Sequence, residues 1–311
     1  LVIPTVTLSA CHTLVLEHQT TKPQAKVELV VLGVAQDAGY PQIACYQPHC
    51  MPAWENPTLR RSATALGVLE HNNKAQYLFE ATPQMPQQLY HLYSLTQPNQ
   101  YALNGVMLTH AHMGHYTGLM FFGREAMGAK GVPVYAMPEM RRYLETNGPW
   151  SQLVSLNNIS LKPLTDRTPT SLSNTFEIIP LKVPHRDEFS ETVGYIGKAE
   201  KSFLFIPDID KWNKWEEDLA ALIRTVDYAF LDATFYGPGE LPNRDMSEVP
   251  HPFVVESMEA LKNLSPAEKN KVYFIHLNHS NPLLNKRSAA YAEVIQAGFN
   301  VAEEGMRFSL D

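Results

Sequence analysis

The stretch Val106-Met107-Leu108-Thr109-His110-Ala111-His112-Met113-Gly114-His115 runs an apolar segment into three histidines at offsets i, i+2 and i+5. An apolar run of this length reads as the end of a buried strand, Gly105 to Leu108, and Tyr116 to Ala129 has a helical pattern. A strand, a histidine turn and a helix gather several imidazoles into one small volume. Neutral imidazole is a favoured ligand for zinc and other borderline metals, so this segment predicts a metal site. A lone histidine is more often packed or exposed than ligating; three at this spacing behind a strand point to a site.

The rest of the composition narrows the field. At 311 residues, 44% apolar and 18% charged, the chain is long enough for a large core and is globular. Its net charge of −7, with no basic cluster, argues against nucleic acid as a partner, and a small-molecule substrate is expected instead. Leu1 to Ala10 is apolar, and Leu8-Ser9-Ala10-Cys11 resembles the lipobox of bacterial lipoprotein signals. On that reading residues 1–26 are a signal remnant and tether, and Cys11 carries a lipid anchor. The protein is then periplasmic or membrane-anchored; the alternative is a frayed apolar terminus on a cytoplasmic protein. Cys45 and Cys50 bracket Tyr46-Gln47-Pro48-His49, and three readings stay open: a small disulfide loop, a structural zinc site with His49, or two buried thiols.

Residues 27–311 read as one catalytic domain without short repeats, low-complexity blocks or a linker. Strands are predicted at Val27 to Val34, Ala63 to Glu70, Gln76 to Ala81, Pro133 to Ala136 and Ile159 to Lys162. More follow at Thr175 to Val183, Thr192 to Gly197, Lys201 to Ile206, Tyr228 to Leu231 and Lys271 to Ile275. Helices are predicted at Pro83 to Leu95, Pro138 to Thr146, Trp212 to Thr225, Val254 to Leu264 and Lys286 to Ala297. Two β-rich halves, each ending in strand–helix units, suggest two sheets packed face to face with helices outside.

Further potential ligands recur just after strands: His185 in Val183-Pro184-His185, Asp208 in Phe205-Ile206-Pro207-Asp208, and His276 with His279 in Phe274-Ile275-His276-Leu277-Asn278-His279. Loops at one end of a sandwich converge, so these residues can share a cleft. Asp210 and Asp232 are also post-strand acids, with Asp232-Ala233-Thr234-Phe235 read as structural or supporting. Asp37-Ala38-Gly39-Tyr40-Pro41-Gln42 and the loop Asn243 to His251 are candidate pocket segments. The second is either a lid bringing Arg244 and His251 to a substrate or a plain surface loop.

This order of His-x-His-x-x-His, a post-strand His, a post-strand Asp and a late His resembles the metallo-β-lactamase-fold superfamily. Gly33 to Cys50, Val183 to Asp187, Glu191-Thr192-Val193-Gly194 and His276 to Pro282 resemble, more narrowly, the branch containing pyrroloquinoline quinone biosynthesis protein B. The resemblance spans about residues 27 to 310. It implies an α+β, four-layer αβ/βα sandwich. It also implies a first metal on His110, His112 and His185, with Asp208 bridging to a second metal on His115 and His276. The family pattern has Asp where this chain has Gly114, so the second site is expected to be weak unless His279 serves as a substitute ligand. Glu80 stands where the superfamily commonly has an Asp that orients a ligand histidine.

The chemistry implied is hydrolysis of an ester, lactam or phosphodiester by metal-activated water, with Asp208, His279 and His251 as the residues nearest the reaction. The cofactor is one or two zinc ions, with iron or manganese as alternatives. Two rivals remain: a non-haem iron oxygenase, because two histidines and a carboxylate also suit iron, and a non-catalytic binding protein stabilised by its metal.

Overall fold

The computed structural model describes residues 25–96, 100–241 and 244–311. The lipobox reading, Cys11 and Asn243 lie outside the described residues. One sheet carries, in spatial order, β14 (Arg307–Ser309), β1 (Val27–Gly33), β2 (Ala65–Glu70), β3 (Ala75–Phe79), β4 (Ala102–Met107), β5 (Val132–Ala136) and β6 (Ile159–Pro163). The other carries β13 (Asn300–Val301), β12 (Val272–Ile275), β11 (Tyr228–Asp232), β10 (Ser202–Ile206), β9 (Val193–Lys198), β8 (Glu177–Lys182) and β7 (Thr170–Ser171). Each sheet joins an antiparallel portion to a parallel one; β3 to β6 run parallel, as do β10 to β13.

Strand periodicity builds the layers. Tyr77 and Phe79 point between the sheets, while Leu78, on the other face of β3, joins the layer under the helices. Phe203 and Phe205 repeat this on β10, with Leu204 and Ile206 facing the opposite helical layer. Both faces of these strands are therefore covered, which explains why β1 is buried throughout and apolar apart from Glu28 near its start. The ring of Phe79 meets Phe203 edge-on at 5.3 Å and Tyr195 at 5.6 Å, locking the sheets face to face. The fold is thus the expected helix–sheet–sheet–helix sandwich. Among the described residues no helix is long and apolar enough to cross a membrane.

Several elements differ from the sequence reading. A helix over Tyr116 to Ala129 does not form: a short turn, Met113–Tyr116, runs into a 3-10 segment, Thr117–Phe122. Gly118 packs so tightly that a Cβ there would stand 2.2 Å from the Thr82 carbonyl oxygen, and Gly128 takes a left-handed φ of 58°. The helix predicted from Trp212 begins at Leu219, where the Asp218 side chain accepts from Ala221 N, and the closing helix begins at Ala289 behind Ser288. Trp150–Ser155 is a further helix, and Arg307–Ser309 a further strand, that the sequence pattern did not show.

That last strand is fastened to β1 by a bidentate pair, Arg307 Nε to Glu28 Oε1 at 2.8 Å and Arg307 Nη2 to Glu28 Oε2 at 2.6 Å. Burial pushes the Glu28 carboxyl up, but hydrogen bonds and charge from His71 and Arg307 outweigh it and hold it below its ordinary value of 4.5. Arg307→Met is expected to cost about 1–2 kcal/mol at neutral pH by urea unfolding, part of the pair being screened on the exposed side of Arg307. Because the folded carboxyl is depressed, this contribution is present above about pH 4.5 and is lost as pH falls through the folded value. The gap between variant and wild type should therefore close as the pH falls below about 4.5 and through the folded value.

Candidate metal centre

The carboxyl ends of the parallel strands meet at one rim of the sandwich, where ligands of open α/β sheets usually bind. β4 ends in the histidine turn, β10 in Asp208, β11 in Asp232 and β12 in His276. The turn is pinned across the sheets: Tyr195 OH donates to the Leu108 carbonyl at 2.5 Å, Val193 N to Thr109 O at 3.1 Å, and Ala111 N to Ser190 Oγ at 2.9 Å. Glu191 turns the other way, its carboxylate accepting from Glu139 N and Met140 N at the start of the helix Pro138–Thr146.

At the centre lies Asp208, 2% exposed. Its Oδ2 is 3.4 Å from His110 Nε2, 3.2 Å from His115 Nε2 and 3.8 Å from His276 Nε2. Its Oδ1 is 3.4 Å from His185 Nε2 and 3.1 Å from His251 Nδ1. Three donor groups form, each with its ligand atoms within 4.8 Å of one another: His110, His112, His185 and Asp208; Asp37, His115 and His276; Asp208, His251 and His276.

Two supporting pairs set the ring nitrogens. Thr109 Oγ1 donates to Glu80 Oε1 at 2.6 Å, leaving its lone pair for the His110 Nδ1–H at 2.9 Å; His115 Nδ1 donates to the same Glu80 oxygen at 3.0 Å. In the other sheet Thr234 Oγ1 donates to Asp232 Oδ1 at 2.7 Å and takes the His276 Nδ1–H at 2.9 Å, while His251 Nδ1 donates to Asp232 Oδ2 at 2.8 Å. With Nδ1 so occupied, His110, His115 and His276 present Nε2 inward. His112 is the reverse case: its Nε2 donates to Glu188 Oε2 at 2.8 Å, which leaves Nδ1 free. Glu80 and His276 both hold left-handed backbone, φ 79° and 67°, a strain that clusters at functional sites.

These donors fit a metal. His110 Nε2, His115 Nε2, His276 Nε2, both nitrogens of His185 and Asp208 Oδ1 are buried without a hydrogen-bond partner. Buried polar atoms are nearly always paired, so orphans converging on one point need another explanation. A tetrahedral ion with ligand bonds of about 2.1 Å separates its donors by about 3.4 Å, close to the spacing around Asp208. Protonation states agree. Burial, reinforced by the charge of His115, holds His110 well below its usual value; burial also lowers His276 and pushes His185 down to about 4. Burial raises the Asp208 carboxyl, but its electrostatic interactions with the rings of His185, His276 and His251 and its hydrogen bond with His115 prevail and keep it well below the carboxylate range. His115 goes the other way: burial lowers it, yet Glu80, Asp208 and Asp37 raise it well above its usual value.

Not every expected residue joins this centre. His279 stands apart: its Nδ1 is 3.0 Å from Asn278 Oδ1, its ring lies 5.6 Å from His49, and it groups with Cys45, His49 and Cys50. The turn after β12 carries it past the centre to a cavity wall, so it is not the substitute for the acid missing at Gly114. Cys45 and Cys50 form a disulfide, and neither sulfur is a thiolate in that state; the structural-metal reading of Cys45, His49 and Cys50 therefore applies only to a reduced chain. His251 is buried and fixed by Asp232 rather than riding on a loose lid, while Arg244 is exposed at the cavity mouth. Two contributors carried no ligand or orienting role in the sequence, Asp37 and Thr109, while Thr234 lay in a turn read only as structural or supporting. Asp37 had the same signal as Asp208, an acid shortly after an apolar strand; Thr109 had none.

A family model described as the Beta-lactamase superfamily domain matches residues 76–277, nearly two thirds of the chain. This chain belongs to that superfamily, in its metallo-β-lactamase fold. Coenzyme PQQ synthesis protein B of Gluconobacter oxydans is 24% identical over 310 residues, covering 92% of this chain and 99% of that protein. The protein of the same name from Klebsiella pneumoniae is 26% identical over 313 residues, covering 90% and 97%. Among solved structures, Zn2+-bound PqqB from Methylobacterium extorquens superposes with a TM-score of 0.76 at 20% identity, over 90% of this chain and 99% of that one. A diphosphatase from the PhnP family gives a TM-score of 0.64 at 21% identity, over 91% and 96%. The superfamily therefore includes hydrolases, and the likeness in sequence is to its PqqB-like branch.

Thr234→Val keeps the volume but removes the hydroxyl that joins Asp232 to His276. It is expected to weaken metal retention by about 10–100-fold in chelator competition. An unchanged midpoint would show that Thr234 does not orient the histidine.

Proposed function

We propose that this protein is a metal-dependent hydrolase acting on a small anionic substrate. The observation that carries the reading is the set of donor groups gathered around one buried carboxylate, Asp208. On this reading His110, His112 and His185 hold one ion, His115 and His276 take part in holding a second, and Asp208 is shared. Ions bound there would supply Lewis acidity and bring the pKa of a water towards about 7. The residues supply the rest. Neutral His110, His185 and His276 offer lone pairs, Glu80 and Asp232 fix the rings, and His251 reaches the cavity wall with its Nδ1 proton held by Asp232.

The cavity beside the centre has a volume of about 370 Å³, the size of a small-molecule site, and shares Asp37 and His251 with it. Arg186 and Arg244 line it together with the apolar side chains of Phe235, Leu241 and Val249. Two guanidinium groups in a chain of net charge −7 support a substrate carrying carboxylate or phosphate, with an apolar portion against those side chains. A second cavity of about 370 Å³ opens at the other end of the sandwich beside Glu70 and Thr175, but no histidine lines it.

One observation favours a second reading. His115 and His276 with a carboxylate match the two-histidine, one-carboxylate set of non-haem iron oxygenases, and the relatives are named for synthesis of a quinone coenzyme. A panel of esters, lactams and phosphodiesters, each with and without an anionic group, separates the two. Zinc-loaded protein should hydrolyse an anionic member. Asp208→Ala should lose roughly a hundredfold to thousandfold in kcat, and Arg244→Ala should raise KM about tenfold with kcat retained. Oxygen uptake with ferrous ion and no hydrolysis would favour the oxygenase. Inactivity in both assays, with metal removal lowering only the melting temperature, would contradict both and leave a binding protein.

A further inference from the structure

We infer that Asp37 is the anionic ligand of the second metal and occupies the space that Gly114 leaves open. The inference rests on the two-metal reading above and concerns where that second site finds its carboxylate.

A side chain at position 114 is blocked by residue 37 itself. A Cβ on Gly114 would stand 2.4 Å from Asp37 Cα and 2.6 Å from Asp37 Oδ1, both far inside contact distance. The glycine in the histidine turn and the aspartate after β1 are therefore two halves of one arrangement. The acid arrives from another strand, and the turn has given up its own side chain to admit it.

The backbone holds Asp37 there. Leu277 N donates to Val34 O at 2.8 Å and Gln36 N to Leu277 O at 2.9 Å, so the segment leading to Asp37 runs alongside the residue that follows His276. Asp37 then turns into left-handed backbone, φ 43°, a region aspartate tolerates better than most residues, and Gly39 N closes the turn onto Gln36 O at 3.0 Å. This aims the carboxylate at the centre. Asp37 Oδ1 is 3.5 Å from His115 Nε2, too long for a good hydrogen bond and close to the separation of about 3.4 Å between donors on one tetrahedral ion. The Nε2 atoms of His115 and His276, which complete the group, are both buried without hydrogen-bond partners. A plain ion pair between Asp37 and His115 would leave His276 Nε2 orphaned; a shared cation accounts for all three.

The test reads metal content rather than activity. Wild type, Asp37→Asn and Gly114→Ala are loaded with zinc, dialysed, and titrated against a chelator while metal is counted by elemental analysis. Wild type should retain two equivalents. Asp37→Asn should retain one, its second binding at least roughly tenfold more weakly. Gly114→Ala should behave likewise although it removes no ligand, because its methyl group displaces Asp37. Circular dichroism and the first equivalent report that each variant is folded, and Asp37→Asn alone decides the matter if Gly114→Ala does not fold. Two equivalents retained by Asp37→Asn with a wild-type chelator midpoint would overturn the inference while leaving the two-metal reading intact. A single equivalent in wild type would overturn both.

Discussion

The constraint on which the structure turns is a single carboxylate, Asp208, buried among the five imidazoles of His110, His115, His185, His251 and His276 at 3.1–3.8 Å. An anion so far from water is costly unless positive charge and hydrogen bonds surround it. Five rings in contact cannot all be protonated, since burial and mutual repulsion hold His110, His185 and His276 neutral. Cations held between the rings and the carboxylate would complete the balance, and the orphaned nitrogens fit that arrangement.

Around this core the two sheets supply matching supports. On one side a threonine hydroxyl and a buried glutamate, Thr109 and Glu80, serve His110 and His115; on the other Thr234 and Asp232 serve His276 and His251. Each hydroxyl donates to its acid and so must accept from a ring, which fixes the tautomer without a charge on the ring. The two sheets are built alike, antiparallel then parallel; in one the acid and the hydroxyl follow two neighbouring strands, β3 and β4, and in the other both come from the end of β11. A shared architecture thus yields a shared device for aiming imidazoles.

Much of this was legible in the chain. His110, His112, His115, His185, Asp208 and His276 each follow an apolar strand, and strand ends are the most visible positions in a sequence whose strands are buried on both faces. Legibility failed where a contact depends on two distant segments. Asp37 matters because Gly114 makes room for it, and neither residue signals the other. His279 is a neighbour of His276 in sequence, but the left-handed turn at His276 sends it to the Cys45–Cys50 loop. The strand Arg307–Ser309 is short and half exposed, held by a cross-strand ion pair rather than by a hydrophobic period. The helix expected over Tyr116 to Ala129 fails at Gly118, which is packed against the Thr82 carbonyl, a tertiary contact invisible to periodicity.

Anomalous diffraction from zinc-soaked crystals addresses the centre most directly. The account predicts two peaks about 3.5–4 Å apart flanking Asp208, one against His110, His112 and His185, the other against His115, His276 and the carboxylate of Asp37. A single peak at the first position, with Asp37 turned away from His115, would contradict it.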